Sequence, residues 1–349
     1  MVLFPNLPDE IAEDCLARVT YKSHHNLKSV SRSWRSLIKS PHFYDHRKAA
    51  GAAEQRIFML QSFPLQSQKS SNQQKTTPVY GIAVYDPVHG EWQRIPSIPE
   101  LGDSVPLFSR CVSVKGKFIL IGGWHPSNWQ PINSVFIYDV LSDGWTRGAD
   151  IPTLRCFFGC CVSPDGIIYV AGGHDQDKNA LRSVEAYSVE KDEWESLPTM
   201  SKGRDECEAV FTEGQMVVIS GFETESQWRF ERSAEVFNPQ TRASKVVENM
   251  WRGDECPRSC VVAARGQLYF FSVQGVMRYN ATENSWAQMV NMPEDVSVSP
   301  CATACCDKIF VSGGDSGCYM FEPQHGKCDA IERPQGFRGF VQCAAIVEF

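Results

Sequence analysis

The chain has 349 residues, 42% of them apolar and 21% charged, the proportions of a globular protein with a sizeable core rather than of a disordered one. Its formal charge of −7 speaks against a duplex-DNA binder, whose affinity rests on neutralising phosphates. No apolar run approaches the roughly 20 residues of a membrane helix, and the start of the chain reaches Asp9 and Glu10 without the basic and apolar regions of a secretory signal. The expectation is therefore a cytoplasmic or nuclear protein that contacts neither nucleic acid nor membrane. Its fourteen cysteines are too few for a disulfide scaffold, and in such a compartment they are expected as reduced thiols. The pairs Cys156/Cys160, Cys256/Cys260 and Cys301/Cys305 share a spacing, but no histidine cluster accompanies them. Small buried hydrophobes are the expected role, and no metal or cofactor is called for.

Residues 1–50 carry eight Lys or Arg against five Asp or Glu, a net of +3 that leaves −10 for the remainder. This segment reads as helical. Ile11, Cys15, Leu16 and Val19, then Leu27, Val30, Trp34, Leu37 and Ile38, recur at amphipathic helix spacings. Pro8, Asp9 and Glu10 suit a first turn, and Ser40-Pro41 ends the second pattern. So short a segment cannot bury that many apolar side chains alone. It is either a helical cap on the main domain or a partner-binding module, and periodicity does not choose between them. A short, helix-prone connection, Arg47–Arg56, suggests a fairly rigid arm.

From residue 57 the helical period gives way to short β-branched and aromatic runs, such as 118–121, 167–171, 216–219 and 309–311, set between Gly, Pro, Asp and Asn clusters. The polar stretch from Gln66 to Lys75 is expected to be a flexible loop. A repeat of 42 to 53 residues organises the rest. Six aromatics (Tyr85, Tyr138, Tyr187, Phe237, Tyr279, Phe321) are followed seven residues later by Trp92, Trp145, Trp194, Ser244, Trp286 and Cys328. Gly122-Gly123, Gly172-Gly173 and Gly313-Gly314 close the preceding apolar runs, and Ser220-Gly221 is a weakened copy. Each unit reads as a small antiparallel sheet, marginal alone, whose faces are covered when the sheets stack radially as a propeller. Every run but the first, at Ile57, has an upstream partner strand. The missing one is expected in Phe340–Phe349, so the C-terminal strand completes the first of six blades and closes the ring.

The Gly-Gly, aromatic and Trp pattern over 57–349 resembles kelch repeats. Leu7-Pro8-Asp9, Cys15-Leu16-Ala17-Arg18, Val30–Ile38 and Ser40-Pro41-x-Phe43 resemble an F-box. The combination is similar to the plant kelch-repeat F-box family: a small all-α F-box module (1–48), a linker (49–56) and an all-β six-bladed propeller (57–349). Arg204–Phe211 and Ala171–Asp175 look like one subfamily implicated in the turnover of phenylpropanoid enzymes such as phenylalanine ammonia-lyase. The resemblance implies a non-catalytic substrate receptor of an SCF-type cullin–RING ubiquitin ligase. Its F-box would dock a Skp-type adaptor, and through it a cullin. Its target would be a protein such as phenylalanine ammonia-lyase, chalcone synthase or a cytokinin response regulator. The rival readings are a kelch scaffold without a ligase role and a metal-dependent propeller enzyme.

The adaptor surface expected on that resemblance is Leu7, Pro8, Ile11, Leu16, Val30, Trp34, Leu37 and Ile38, an apolar set suited to helix-in-groove docking. Target binding is expected on the loops before the aromatic strands, 124–133, 174–182 and 222–232, and on the inter-blade connections beside them. These supply Trp124, Trp129, Arg155, Phe157, Arg204, Asp205, Trp228, Arg229, Trp251, Arg252 and Arg258. Trp and Arg are the side chains most enriched at interface hot spots.

Overall fold

The computed structural model describes residues 3–349 apart from 65–78, 103, 253–254, 259, 297–299, 306 and 316, so the polar stretch 66–75 lies outside the described residues. The chain opens with four short helices. α1 (Asp9–Ala17) starts behind Pro8 with Asp9 and Glu10 in its first turn. The second helical pattern is two helices, α2 (His24–Val30) and α3 (Arg32–Ile38), because Ser31 turns extended and its hydroxyl accepts the Trp34 N–H as a cap. Ser40-Pro41 ends that pattern and also begins α4 (Pro41–Ala49): Ser40 accepts the Phe43 N–H, and Pro41 occupies the first turn, where a missing N–H costs nothing. Leu16, Ala17, Ile38 and Phe43 form the small core of this module.

From Gln55 on, the described residues build six four-stranded antiparallel sheets. In five of them the strands follow in chain order from the channel outward, as in Arg110–Val114, Lys117–Ile121, Val135–Asp139 and Gly144–Gly148. The first sheet takes its innermost strand from the far end of the chain, where Val341–Glu348 pairs with Gln55–Phe63. Successive innermost strands are neighbours all the way round, so the ring closes as a six-bladed propeller.

Strand register explains the seven-residue spacing. Tyr85 lies directly opposite Trp92, Tyr138 opposite Trp145, Tyr187 opposite Trp194 and Tyr279 opposite Trp286. The rings of these pairs lie 4.7 to 5.3 Å apart. Each indole N–H then donates to a carbonyl of the preceding blade: Glu332 (3.1 Å), Pro96 (2.8 Å), Ala149 (2.8 Å) and Met250 (2.7 Å), in chain order of the tryptophans. Ser244 and Cys328 hold the same register position without this bond. The turn between aromatic and Trp places a residue in the left-handed region at Gly90, Asp143, Asp192, Arg242, Asn284 and Gly326. Asp192 and Asn284 use it to accept the hydroxyls of Tyr187 (2.5 Å) and Tyr279 (2.6 Å), and Asp143 does the same for Tyr138. The double glycines are needed where the chain passes close to the connection into the same blade. A Cβ on Gly173, at φ 80°, would stand 2.3 Å from the Cys156 carbonyl oxygen.

The helical module is joined to one face of the ring by buried contacts. Arg47, fully buried, donates to the carbonyls of Ala17 (2.6 Å), Val19 (2.6 Å) and Ala52 (2.8 Å) and to the Glu54 carboxylate (3.2 Å). Glu54 and Phe349 exchange two backbone hydrogen bonds, and the Phe349 ring packs 4.4 Å from Tyr21. Tyr21 also donates its hydroxyl to Val140 O, and Arg56 lies 4.9 Å over its ring while pairing with Asp86 at 3.0 Å. The propeller side of these contacts lies where the first and second strands of the first blade meet (Glu54, Phe349) and at turns between third and fourth strands (Asp86, Val140). The loops between second and third strands therefore open on the opposite face.

Candidate functional site

Two surfaces carry the expected recognition residues. On the helical module, Ile11 (51% exposed), Val30 (60%) and Pro8 face solvent. Leu7, Trp34 and Leu37 are half-buried: the Trp34 indole donates to Leu3 O at 2.9 Å, and its ring packs 4.8 Å from Phe4. Leu16 and Ile38, expected on the adaptor surface, are instead buried in the module's core, where their helices turn them inward against Ala17 and Phe43.

The innermost strands enclose a central channel of about 360 Å³. Across it Arg110 donates to Glu208 at 2.5 Å and to the Phe158 carbonyl at 2.8 Å. Burial lowers the Arg110 pKa, but the Glu208 charge and hydrogen bond outweigh it, and the net shift is upward. Every described cysteine is a free thiol. Of those lining this channel, Cys160 is pushed up to about 12 by burial, which makes it a weak nucleophile.

The channel opens on the loop face into an aromatic mouth. Phe108 and Phe157 hold equivalent places before the first strands of the second and third blades, each with a positive φ (55° and 54°), and their rings lie 5.6 Å apart. Trp124 packs on both, at 6.2 and 6.3 Å, and donates its indole N–H to Cys156 Sγ. His174 packs 5.4 Å from Phe157, with Nδ1 2.9 Å from both Asp205 carboxylate oxygens and Nε2 3.0 Å from Lys178 Nζ. Lys178 Nζ also stands 5.2 Å over the Trp124 ring, and Arg258 Cζ 4.3 Å over the Phe157 ring. Burial, and then the charge of Arg110, lower the Arg258 pKa. Beside Arg258 lies a cavity of about 260 Å³ lined also by Phe108, Glu206, Cys256, Phe340 and Gln342.

Of the residues expected at this rim, Trp124, Phe157, Asp205 and Arg258 meet at the mouth. Trp129 (52% exposed), Trp228 (71%), Arg229 and Arg252 stand in solvent around it. Three are internal. Arg155 is fully buried and donates to Gly172 O, Ser183 O, Ser183 Oγ and Glu185. Arg204 repeats this in the next blade with Ser220 O, Ser233 O and Ser233 Oγ. Both tie together the two chains at the glycine turns by donating to carbonyls on either side. Trp251 packs 4.6 Å from Phe270 and donates to Glu255 O, so it belongs to the core. Sequence reasoning passed over Phe108 and Lys178. The matching position of Phe108 and Phe157 two residues ahead of a first strand was the available signal.

Known proteins carry the same two parts. Residues 4–46 match the F-box domain model. Residues 108–314 match the model described as the KLHDC2/KLHL20/DRC7 Kelch-repeats domain. Curated Arabidopsis thaliana relatives include F-box/kelch-repeat protein At2g44130, 39% identical over 279 residues, which are 73% of this chain and 68% of that one. F-box/kelch-repeat protein SKIP20 is 37% identical over 302 residues, covering 76% and 71%. F-box/kelch-repeat protein At1g15670 is 32% identical over 360 aligned positions, covering 100% of both chains.

Proposed function

The chain belongs to the F-box/kelch-repeat family, and from that premise we propose that it is a non-catalytic substrate receptor of an SCF-type ubiquitin ligase in the cytoplasm or nucleus. Residues 1–48 form the adaptor-docking module, 49–56 the joint and 57–349 the target-binding propeller. The observation that carries this reading is the placement of the two surfaces: Ile11 and Val30 stand exposed on a module fixed to one face, and the aromatic mouth opens on the other. A Skp-type adaptor, and the cullin it carries, would hold one end. A target protein held at the other would present its lysines at high effective concentration. The first targets to test are those the subfamily resemblance implies: phenylalanine ammonia-lyase, chalcone synthase and cytokinin response regulators.

The paired variant Ile11→Glu/Val30→Glu should abolish co-purification of the Skp-type adaptor while leaving the thermal unfolding of the chain unchanged, because neither side chain is buried. Undiminished adaptor capture would sink the docking assignment. Proximity labelling with and without proteasome inhibition then identifies the target as the neighbour that accumulates.

A further inference from the structure

We infer that the mouth of the channel reads one carboxylate side chain on an extended, otherwise uncharged or basic segment of the target, with Arg258 and Lys178 as the reading groups; this rests on the receptor function proposed above. The charge ledger of the mouth points there. Asp205 is committed: its oxygens face His174 Nδ1 at 2.9 Å, and it accepts the Glu206 N–H. Glu208 is committed to Arg110 across the channel. Neither Arg258 nor Lys178 has a carboxylate within ion-pair distance among the described residues; each instead lies over an aromatic face. Lys178 directs one N–H to His174 Nε2, which leaves two without a protein partner among the described residues. Arg258 sits half-buried beside the 260 Å³ cavity, and among the described residues its fork of donors makes no hydrogen bond. Burial first, and then the Arg110 charge, lower its pKa, and the nearby acids Glu206 and Glu208 do not offset them.

The pairing is selective as well as attractive. Glu206 holds the place in the fourth blade that Phe108 and Phe157 hold in theirs, with φ 54°, and accepts from the Cys256 thiol at the same cavity. It repels a second acid on its side. A run of acidic residues therefore fits worse than a single one flanked by apolar or basic neighbours, which the aromatic walls of Phe108, Trp124 and Phe157 would cover. The propeller's overall negative charge acts in the same direction by disfavouring strongly acidic segments at long range.

The test is a randomised fluorescent dodecamer peptide library selected on the full chain bound to its Skp-type adaptor. The expected result is enrichment of Asp or Glu at one position and depletion of consecutive acids. Arg258→Gln should weaken the selected peptide about tenfold or more, and exposed Lys178→Gln two- to threefold, an effect that shrinks at high salt. Arg258→Glu should switch the enriched position to Lys or Arg, which separates a reading role from a packing role on Phe157. Enrichment without a carboxylate, or a carboxylate preference that survives Arg258→Gln and Lys178→Gln together, overturns the inference. If the peptides so selected still depend on Trp228 or Trp129, the receptor reading stands and only the carboxylate rule falls. If no peptide is enriched on a chain that still captures its adaptor, the inference falls and so does the loop face as target site.

Discussion

The helical end and the loop end of this propeller use the same residue types in opposite ways. At the helical end Arg47, Arg56, Tyr21 and His24 are turned inward, and the donors of Arg47 go to three carbonyls and a carboxylate. At the loop end Arg258, Lys178, Trp129 and Trp228 keep donors or ring faces open. A buried charged group bonded to several acceptors fixes geometry, whereas an accessible one with donors to spare selects a partner. The contrast also runs within the loop end, since Arg155 and Arg204 lie close to the mouth yet act as staples.

The joint is the place to break that contrast hardest. Arg47→Met keeps most of the volume but strips the donors from Ala17, Val19 and Ala52 and leaves Glu54 to the Tyr21 N–H and to Arg56 at 3.9 Å. Losing one partner of a buried charged network costs about 3 to 5 kcal/mol. Urea unfolding should show that loss for Arg47→Met, and a change below about 1 kcal/mol would mean that the joint does not depend on this residue.

Acid should act on the same joint with a smaller effect. His24 is buried with Nε2 3.2 Å from Arg47 Nη1, and burial followed by the Arg47 charge lowers its pKa from 6.5 to about 4. The unfolded chain therefore binds more protons between these values. The stabilisation is complete above pH 6.5 and is lost progressively as the pH falls toward 4, about 2 kcal/mol by pH 5. Chemical unfolding at pH 7.5 and 5 should show this difference in the native chain and a flatter profile in His24→Gln. Equal slopes would remove His24 from the account.

Much of this was legible in the sequence, because repetition reports on the backbone. A Tyr–Trp interval of seven is a hairpin register, and an interval kept through a ring has one architecture. The count of strands at Ile57 even told where the last one had to go. The helical module was less legible. Ser31 is a single residue whose extended conformation splits one apparent amphipathic run, and a proline that ends one helix can start the next. Site residues were the hardest, because Arg155 and Arg258 look alike in sequence: both are arginines in connections between blades. What separates them is whether a serine and a glycine carbonyl from later strands lie within reach, and only the folded chain brings those together.

The smallest stability effect gives the sharpest test of the loop end. Trp228 is 71% exposed at φ 67°, touching Phe222 at 5.8 Å between ring centres. Left-handed backbone costs a non-glycine residue about 1 kcal/mol, and that strain persists only where the surroundings hold it. Trp228→Gly removes it, while the added chain entropy of glycine and the lost Phe222 contact oppose the gain. The unfolding free energy should therefore change by no more than about 0.5 kcal/mol. Target binding should nevertheless fall about tenfold or more, since a rigid exposed indole is the kind of side chain that carries interface energy. Trp251→Ala supplies the contrast: its ring is buried against Phe270, so it should lose about 3 kcal/mol or more of stability. A Trp228→Gly chain that keeps its target affinity would move the recognition surface away from this loop and onto the mouth alone.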